Sequence, residues 1–149
     1  MANFNEYVAA AGQLLVMATA VDNQPSTRIM GFAQSTEAPN KWYLVTDPAS
    51  AKVAELDANS KVAFNTMMGE GGRRISSNKG TLVRSEKTWA DVKHYFEENK
   101  GFMAGNPTPE QEIILELTFP SALLASFVEA PEQFLSKTFN TNGSVYQEF

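Results

Sequence analysis

Lys41 to Phe64, KWYLVTDPASAKVAELDANSKVAF, reads as strand, tight turn, short helix and strand. Trp42, Leu44 and Thr46 alternate with Tyr43 and Val45 in a β-branched and aromatic run, the pattern of a strand. Asp47-Pro48 stops it, with Asp47 placed as N-cap and Pro48 at the first helical position. Ala49, Val53 and Leu56 then fall at i, i+4 and i+7 on one apolar face, which predicts a short amphipathic helix. Its first turn sets Ser50 and Lys52 beside Thr46 at the strand end. Two hydroxyls, an ammonium and the unpaired N–H groups of a helix start would converge there, an environment that favours a phosphate.

Working outward, Gln13 to Asp22, QLLVMATAVD, predicts a strand. A turn at Asn23-Gln24-Pro25 follows, and then Ser26 to Gln34, STRIMGFAQ, a largely apolar strand holding one arginine. Downstream lie the strands Ser60 to Met68 and Arg73 to Ser85, RRISSNKGTLVRS, joined through Gly69-Glu70-Gly71-Gly72. That segment lacks the Lys-Ser/Thr and following helix of a P-loop and reads as a hairpin turn.

In this order of elements the chain resembles, over roughly Tyr7 to Phe127, the FMN-binding split-barrel family typified by pyridoxamine 5′-phosphate oxidase. The resemblance implies a mostly β fold, a six-stranded antiparallel split barrel with a few helices closing its ends. In that family an arginine on the second strand and a Thr/Ser/Lys segment running from strand into helix hold the flavin and its phosphate. The matching positions are Arg28 with Ile29 and Met30, then Val45-Thr46, Ser50 and Lys52. A further contact comes from a strand that ends in glycine before a small residue, matched by Arg74 or Ile75 ahead of Gly80-Thr81. The resemblance thus implies FMN as cofactor, a small-molecule redox partner and a homodimer with the flavin between subunits. It places Arg28 at the electron-rich pyrimidine edge of the reduced flavin. No side-chain acid or base is expected to be catalytic.

The departures are informative. The oxidase has Ser-Arg-Lys at the helix start, where this chain has Ser50-Ala51-Lys52. It also clamps its substrate's phosphate with Arg and His residues near the C-terminus, whereas here the last arginine is Arg84, the single histidine is His94, and Lys137 is the sole basic residue after Lys100. A dianionic phosphate favours bidentate arginine contacts, each charge-assisted bond contributing about 1.5–3 kcal/mol. True pyridoxamine phosphate oxidation is therefore not expected. Two other readings of the same pocket are a non-catalytic flavin-binding or redox-sensing module and a haem-binding split barrel. The second needs an axial ligand that His94, predicted to face solvent opposite Trp89, Val92 and Phe96, supplies poorly.

Composition sets the outer bounds. A chain of 149 residues with 43% hydrophobic content fits one domain over residues 1 to 149. Cysteine is absent, which excludes disulfides and thiolate metal sites, and no His/Cys/carboxylate spacing calls for a metal. The net charge of −5 argues against nucleic-acid binding, which needs a basic footprint. Residues 1 to 87 nevertheless carry nine Lys/Arg against eight Asp/Glu, and residues 88 to 149 three against nine, so the basic groups collect in the ligand-facing half. MANFNEYVAAAG has no basic leader, and the apolar run Leu14 to Val21 is far shorter than the roughly 20 residues of a membrane span. A cytoplasmic protein is expected.

Further elements are a helix at Asn5 to Ala11 and a helix from Thr88, capped with Asp91, to near Asn99. A loop at Gly101 to Thr108 leads to the strands Glu112 to Phe119 and Ala122 to Val128. Trp42 is assigned to the core. The tail from Pro131 to Phe149 retains Phe134, Leu135, Phe139, Tyr146 and Phe149, and is expected to dock on a partner subunit.

Overall fold

The computed structural model describes residues 3–128, 139–140 and 144–149. Helix α1 (Phe4–Ala10) begins where Asn3 accepts a hydrogen bond from the Asn5 N–H at 2.9 Å, and it buries Phe4 and Tyr7. Strands β1 (Leu14–Val21) and β2 (Gln24–Gly31) form a hairpin around Asp22 and Asn23. Both have positive φ, 51° and 63°, as the twist of a two-residue hairpin requires. The turn thus lies one residue earlier than expected. Pro25 sits inside β2, tolerated because β2 is the first strand of the sheet path.

After the two-residue β3 (Ala33–Gln34) come β4 (Lys41–Thr46), α2 (Ala51–Ala58), β5 (Lys61–Thr66) and the long β6 (Arg74–Arg84). α3 (Trp89–Val92) is a single turn that continues as a 3-10 turn over Lys93–Tyr95, so the helix expected to reach Asn99 stops short. Its predicted capping box is present: the Thr88 N–H and hydroxyl donate to Asp91 at 2.8 and 3.1 Å. The segment read as a loop from Gly101 contains a helix instead, α4 (Lys100–Gly105). Asn99 starts it by accepting from the Phe102 N–H at 3.0 Å, a signal that the sequence reading took for a helix end. β7 (Ile113–Thr118), β8 (Ser121–Ala125), β9 (Phe139–Asn140) and β10 (Ser144–Glu148) complete the chain.

All strand pairs are antiparallel, in the order β2-β1-β5-β6-β7-β4-β3. β2 also approaches β4, curling the sheet into the mostly β split barrel that was expected. Among the described residues hydrogen bonding divides the sheet into ten strands, of which β1, β2, β4, β5, β6 and β7 have six residues or more. β6 serves two partners along one edge. Arg74 to Ser76 pair with β8 and Thr81 to Arg84 with β7, and the strand bends between them at an irregularity opposite Val62 to Phe64.

The core fills the curl. Trp42 is fully buried, 4.2 Å from the Phe32 ring and 5.0 Å from that of Phe119, and its indole N–H donates to the Pro39 carbonyl at 2.9 Å. Trp42 is thus a core residue, as predicted.

Where it is described, the end of the chain folds back onto its own sheet. Tyr146 lies in β10, opposite Leu123 of β8, and the Phe149 ring packs 4.8 Å from Phe4 of α1. The open edge of β8 needs a hydrogen-bonding partner, and the chain's own last strand supplies it. Phe134 and Leu135 lie outside the described residues, as does the side chain of Phe139. Among the described residues no helix is long and apolar enough to cross a membrane.

Candidate functional site

The corner where β4 runs into α2 is built by local backbone chemistry. Asp47 does not cap α2; its carboxylate accepts from the Ala49 N–H at 2.8 Å and closes a turn over residues 47–50. Helix α2 therefore begins three residues later than predicted, with Ser50 at the N-cap position. The Ser50 hydroxyl makes no capping bond and lies 3.5 Å from that of Thr46 instead. The Lys52 ammonium donates to the Thr46 hydroxyl at 2.9 Å. Thr46, Ser50 and Lys52 do come together, beside helix-start N–H groups that have no intrahelical acceptor. Val53 and Leu56, buried on the other side of α2, hold the helix against the sheet.

Arg28 reaches the same helix by another route. It shares the inward face of β2 with Met30, and its guanidinium donates to the Thr19 hydroxyl at 3.0 Å and to the Glu55 carboxylate at 2.8 Å. Thr19 in turn donates to the same Glu55 oxygen at 2.7 Å, closing a triad between β1, β2 and α2. Sequence reasoning missed Thr19 and Glu55. The signal available for Glu55 was its spacing of three residues from Lys52, which puts both on neighbouring positions of one helix surface. Of the remaining candidates, Ile29 is 62% exposed on the outer face, Met30 is buried in the core and Val45 is half-buried.

Arg74 stands apart. It lies ten residues before Arg84, about 30 Å of strand, whereas Arg84 is one strand removed from β4 through Leu115. Its guanidinium donates to the Gly72 carbonyl at 3.0 Å and lies 5.3 Å from the centre of the exposed Phe127 ring. Within one chain, then, Arg74 does not join the Thr46–Ser50–Lys52 corner.

Lys52 has no carboxylate partner among the described residues, whereas charges elsewhere on α2 and at the far end of β4 are paired. Arg84 grips Asp57 of α2 at 2.7 Å, and its hydrogen bond holds the Asp57 carboxyl below the usual carboxylate range. Glu37 takes the ammonium groups of Lys87 at 3.1 Å and Lys41 at 3.2 Å, and the hydrogen bond from Lys87, then that from Lys41, lowers its carboxyl likewise. Burial, then the negative charge of Glu37, pushes the Tyr43 hydroxyl up. His94 is exposed, as predicted, with its ring 3.9 Å from that of Tyr95.

The outer face of β2, β1 and β5 mixes apolar and neutral polar side chains, with Lys61 at the start of β5 the charge on it. Val16 of β1 is paired with Ile29 of β2 and Asn65 of β5, and Ala18 with Thr27 and Ala63, so none of these outward positions carries a charge. Leu14 is 45% exposed at one end of this face. The legible signal was β1 itself, LLVMATAV, which is apolar on both faces, as a strand covered on both sides should be.

With the geometry established, comparison with known proteins narrows the reading. A family model described as pyridoxamine 5′-phosphate oxidase matches residues 5–122. No curated protein matches the sequence. Among solved structures, an FAD-binding protein from Mesorhizobium loti is similar with a TM-score of 0.60 and 16% identity, over 79% of this chain and 87% of that one. A NimC/NimA family protein from Clostridium acetobutylicum has a TM-score of 0.61 and 19% identity, over 95% of this chain and 89% of that one. A pyridoxamine 5′-phosphate oxidase-related, FMN-binding protein from Nostoc punctiforme has a TM-score of 0.55 and 14% identity, over 100% of this chain and 97% of that one. At such identities the likeness of these structures speaks for the fold alone.

Proposed function

The chain belongs to the pyridoxamine 5′-phosphate oxidase family, and from that premise we propose that it is a single-domain, FMN-binding flavoprotein, a cytoplasmic homodimeric oxidoreductase acting on a small molecule that carries no phosphate. The observation that carries this reading is the convergence of Thr46, Ser50 and Lys52 at the start of α2, with the Lys52 ammonium 2.9 Å from the Thr46 hydroxyl. The donor set suits a phosphate monoester: one cation, two hydroxyls and helix-start N–H groups, with the positive end of the helix dipole behind them. The solved relatives described as binding FMN or FAD support a flavin as the ligand.

When bound, the flavin supplies the redox chemistry. The chain's own groups bind and orient. Lys52 would exchange the Thr46 hydroxyl for a phosphate oxygen. Arg28, tied to Glu55 one turn further along α2, would hold that helix in register with β2 and bring positive charge toward the ring's pyrimidine edge. Ile29 would offer an apolar surface to the ring, and Val45 the flank of β4. Met30, its side chain committed to the core, would contribute only backbone. Arg74 lies too far along β6 to serve the corner of its own chain and would act in that of the partner subunit. The outer face of β2, β1 and β5, uncharged except at Lys61, supports an isologous contact between copies. The absence of arginine and histidine after His94 supports a substrate without phosphate.

Titration of the flavin-free protein with FMN and riboflavin tests the reading. Wild type should prefer FMN, and Lys52→Ala should weaken FMN binding about tenfold, a loss of about 1.4 kcal/mol, while leaving riboflavin unchanged. A variant that separates the two ligands as well as wild type does would refute the phosphate assignment. Steady turnover with NADH or NADPH and an acceptor would separate an enzyme from a redox sensor. Pyridoxamine 5′-phosphate should yield negligible peroxide.

A further inference from the structure

Where β6 leaves β8 to join β7, the sheet forks and opens a cleft of about 740 Å³ on its outer side. The fork is set by the bend in β6. Gly80 allows it to lie close to β5, since a Cβ there would come within 2.9 Å of the Val62 side chain and 3.1 Å of its carbonyl oxygen. Buried Phe64 and Ala122 form an apolar floor. One wall is β10, on which Tyr146 and Glu148 face the same way, opposite Leu123 and Ser121 of β8. The other wall is β6, with Ser76, Asn78 and Lys79.

Among the described residues, no side-chain hydrogen bond or ion pair is made by five polar lining residues, Ser76, Asn78, Lys79, Tyr146 and Glu148. Four other cations do have carboxylate partners: Lys41 and Lys87 with Glu37, Arg84 with Asp57, and Arg28 with Glu55. Register sets the separation of Lys79 and Glu148 across the cleft. Glu148 is opposite Ser121, whose carbonyl accepts from the Ser77 hydroxyl at 2.7 Å, so two strand spacings separate β10 from β6. With Lys79 two residues beyond Ser77, the two Cα atoms stand roughly 12 Å apart. The two charges flank the cleft without pairing, at a separation that suits a molecule with opposite charges at its two ends.

We propose that this cleft binds a small zwitterion, its carboxylate on Lys79, its amine on Glu148 and a flat apolar frame over Phe64 between Tyr146 and Leu123. The volume suits a small-molecule site, and an apolar floor with a few convergent polar groups is the usual construction of one. Ser76 and Asn78 add neutral donors and acceptors at the rim. The site needs no flavin and is built from one chain, with Ala63 and Ser76 at the edge of the face proposed above for the subunit contact.

Calorimetric titration of the full chain, without flavin and again with FMN, tests it using 4-(aminomethyl)benzoate as the zwitterion. Its two halves, 4-methylbenzoate and 4-methylbenzylamine, are the controls. The zwitterion should bind about tenfold more tightly than either half. Lys79→Met should abolish its advantage over the amine, and Glu148→Gln its advantage over the carboxylate. Ser76→Trp, which fills the cleft from the rim, should eliminate binding of all three. Equal binding of the three probes by wild type, or zwitterion affinity unmoved by Lys79→Met and Glu148→Gln, overturns the proposal. So does a Ser76→Trp chain that sediments as a monomer where wild type is a dimer, since the cleft would then be a subunit contact. Loss of FMN binding in Lys52→Ala with zwitterion binding intact supports two separate sites.

Discussion

At the residue scale, glycines in one turn answer to different constraints. Gly71 and Gly72 have φ of 68° and 71°, the left-handed region that suits glycine. Gly69 has an ordinary φ of −101° and is required for room instead: a Cβ there would lie 1.9 Å from the Ala10 carbonyl oxygen. Backbone cannot swing aside as a side chain does. Gly69→Ala should therefore destabilise the fold by about 2–3 kcal/mol, the upper range of overpacking, seen as a lower urea midpoint at unchanged slope. Gly105→Ala is the control, since its Cβ meets nothing within 4 Å, and it should stay within about 1 kcal/mol of wild type. The sequence marked Gly69 to Gly72 as a turn from composition. It did not mark which glycine is there for torsion and which for space, because the atom that excludes a Cβ at Gly69 belongs to α1.

At the element scale, α2 carries two clamps of unequal strength. The Arg28–Glu55 pair is shielded, with side chains 19% and 27% exposed, and shares an oxygen with Thr19. The Arg84–Asp57 pair is half exposed on both sides. Glu55→Ala strands a partly buried guanidinium and should cost about 1–2 kcal/mol in a denaturant melt, whereas Asp57→Ala should change little. Because α2 also positions Ser50 and Lys52, Glu55→Ala should weaken FMN binding through loss of helix register. Amide hydrogen exchange of α2, faster in Glu55→Ala than in Asp57→Ala, would show it. The existence of α2 was legible from Val53 and Leu56. Its start was not, since Asp47 and Ser50 are both good cap residues, and the choice fell to the turn that Asp47 closes with Ala49.

At the scale of the whole molecule, a flavin shared between subunits would link ligand binding to association. A ligand that binds only the dimer stabilises it by mass action, so sedimentation over a dilution series should give a lower dissociation constant with FMN than without. A monomer binding FMN stoichiometrically at high dilution would rule the shared site out. Acid sensitivity is a second whole-molecule property. Glu37, Asp57 and Asp91 are held below the usual carboxylate range, first by hydrogen bonds from Lys87, Arg84 and the Thr88 N–H respectively. Near pH 4 the unfolded chain consequently binds more protons than the folded one, so stability rises with pH there. The contribution is complete above the unfolded values near 4 and is lost as pH falls through the lower folded ones. The melting temperature should fall as pH drops below about 4, and less steeply in Glu37→Gln.

What the chain's order of residues settled was local in origin. Alternation placed β1, β4, β5 and β7 to within a residue or two, the Thr88–Asp91 capping box was readable at sight, and Thr46, Ser50 and Lys52 were bound to meet because only a turn separates them. Contacts between distant residues were decided by register and curl. Arg28 and Glu55 are 27 positions apart, and Ser77 and Ser121 are 44 apart. The remoteness of Arg74 from Lys52, the fork that opens the cleft and the return of β10 onto β8 follow from which strands pair and where β6 bends. Alternation gives each strand its faces, but the register that sets its neighbours is fixed by the packing of Trp42, Phe64, Leu117 and their neighbours in a core that exists only once the sheet has closed.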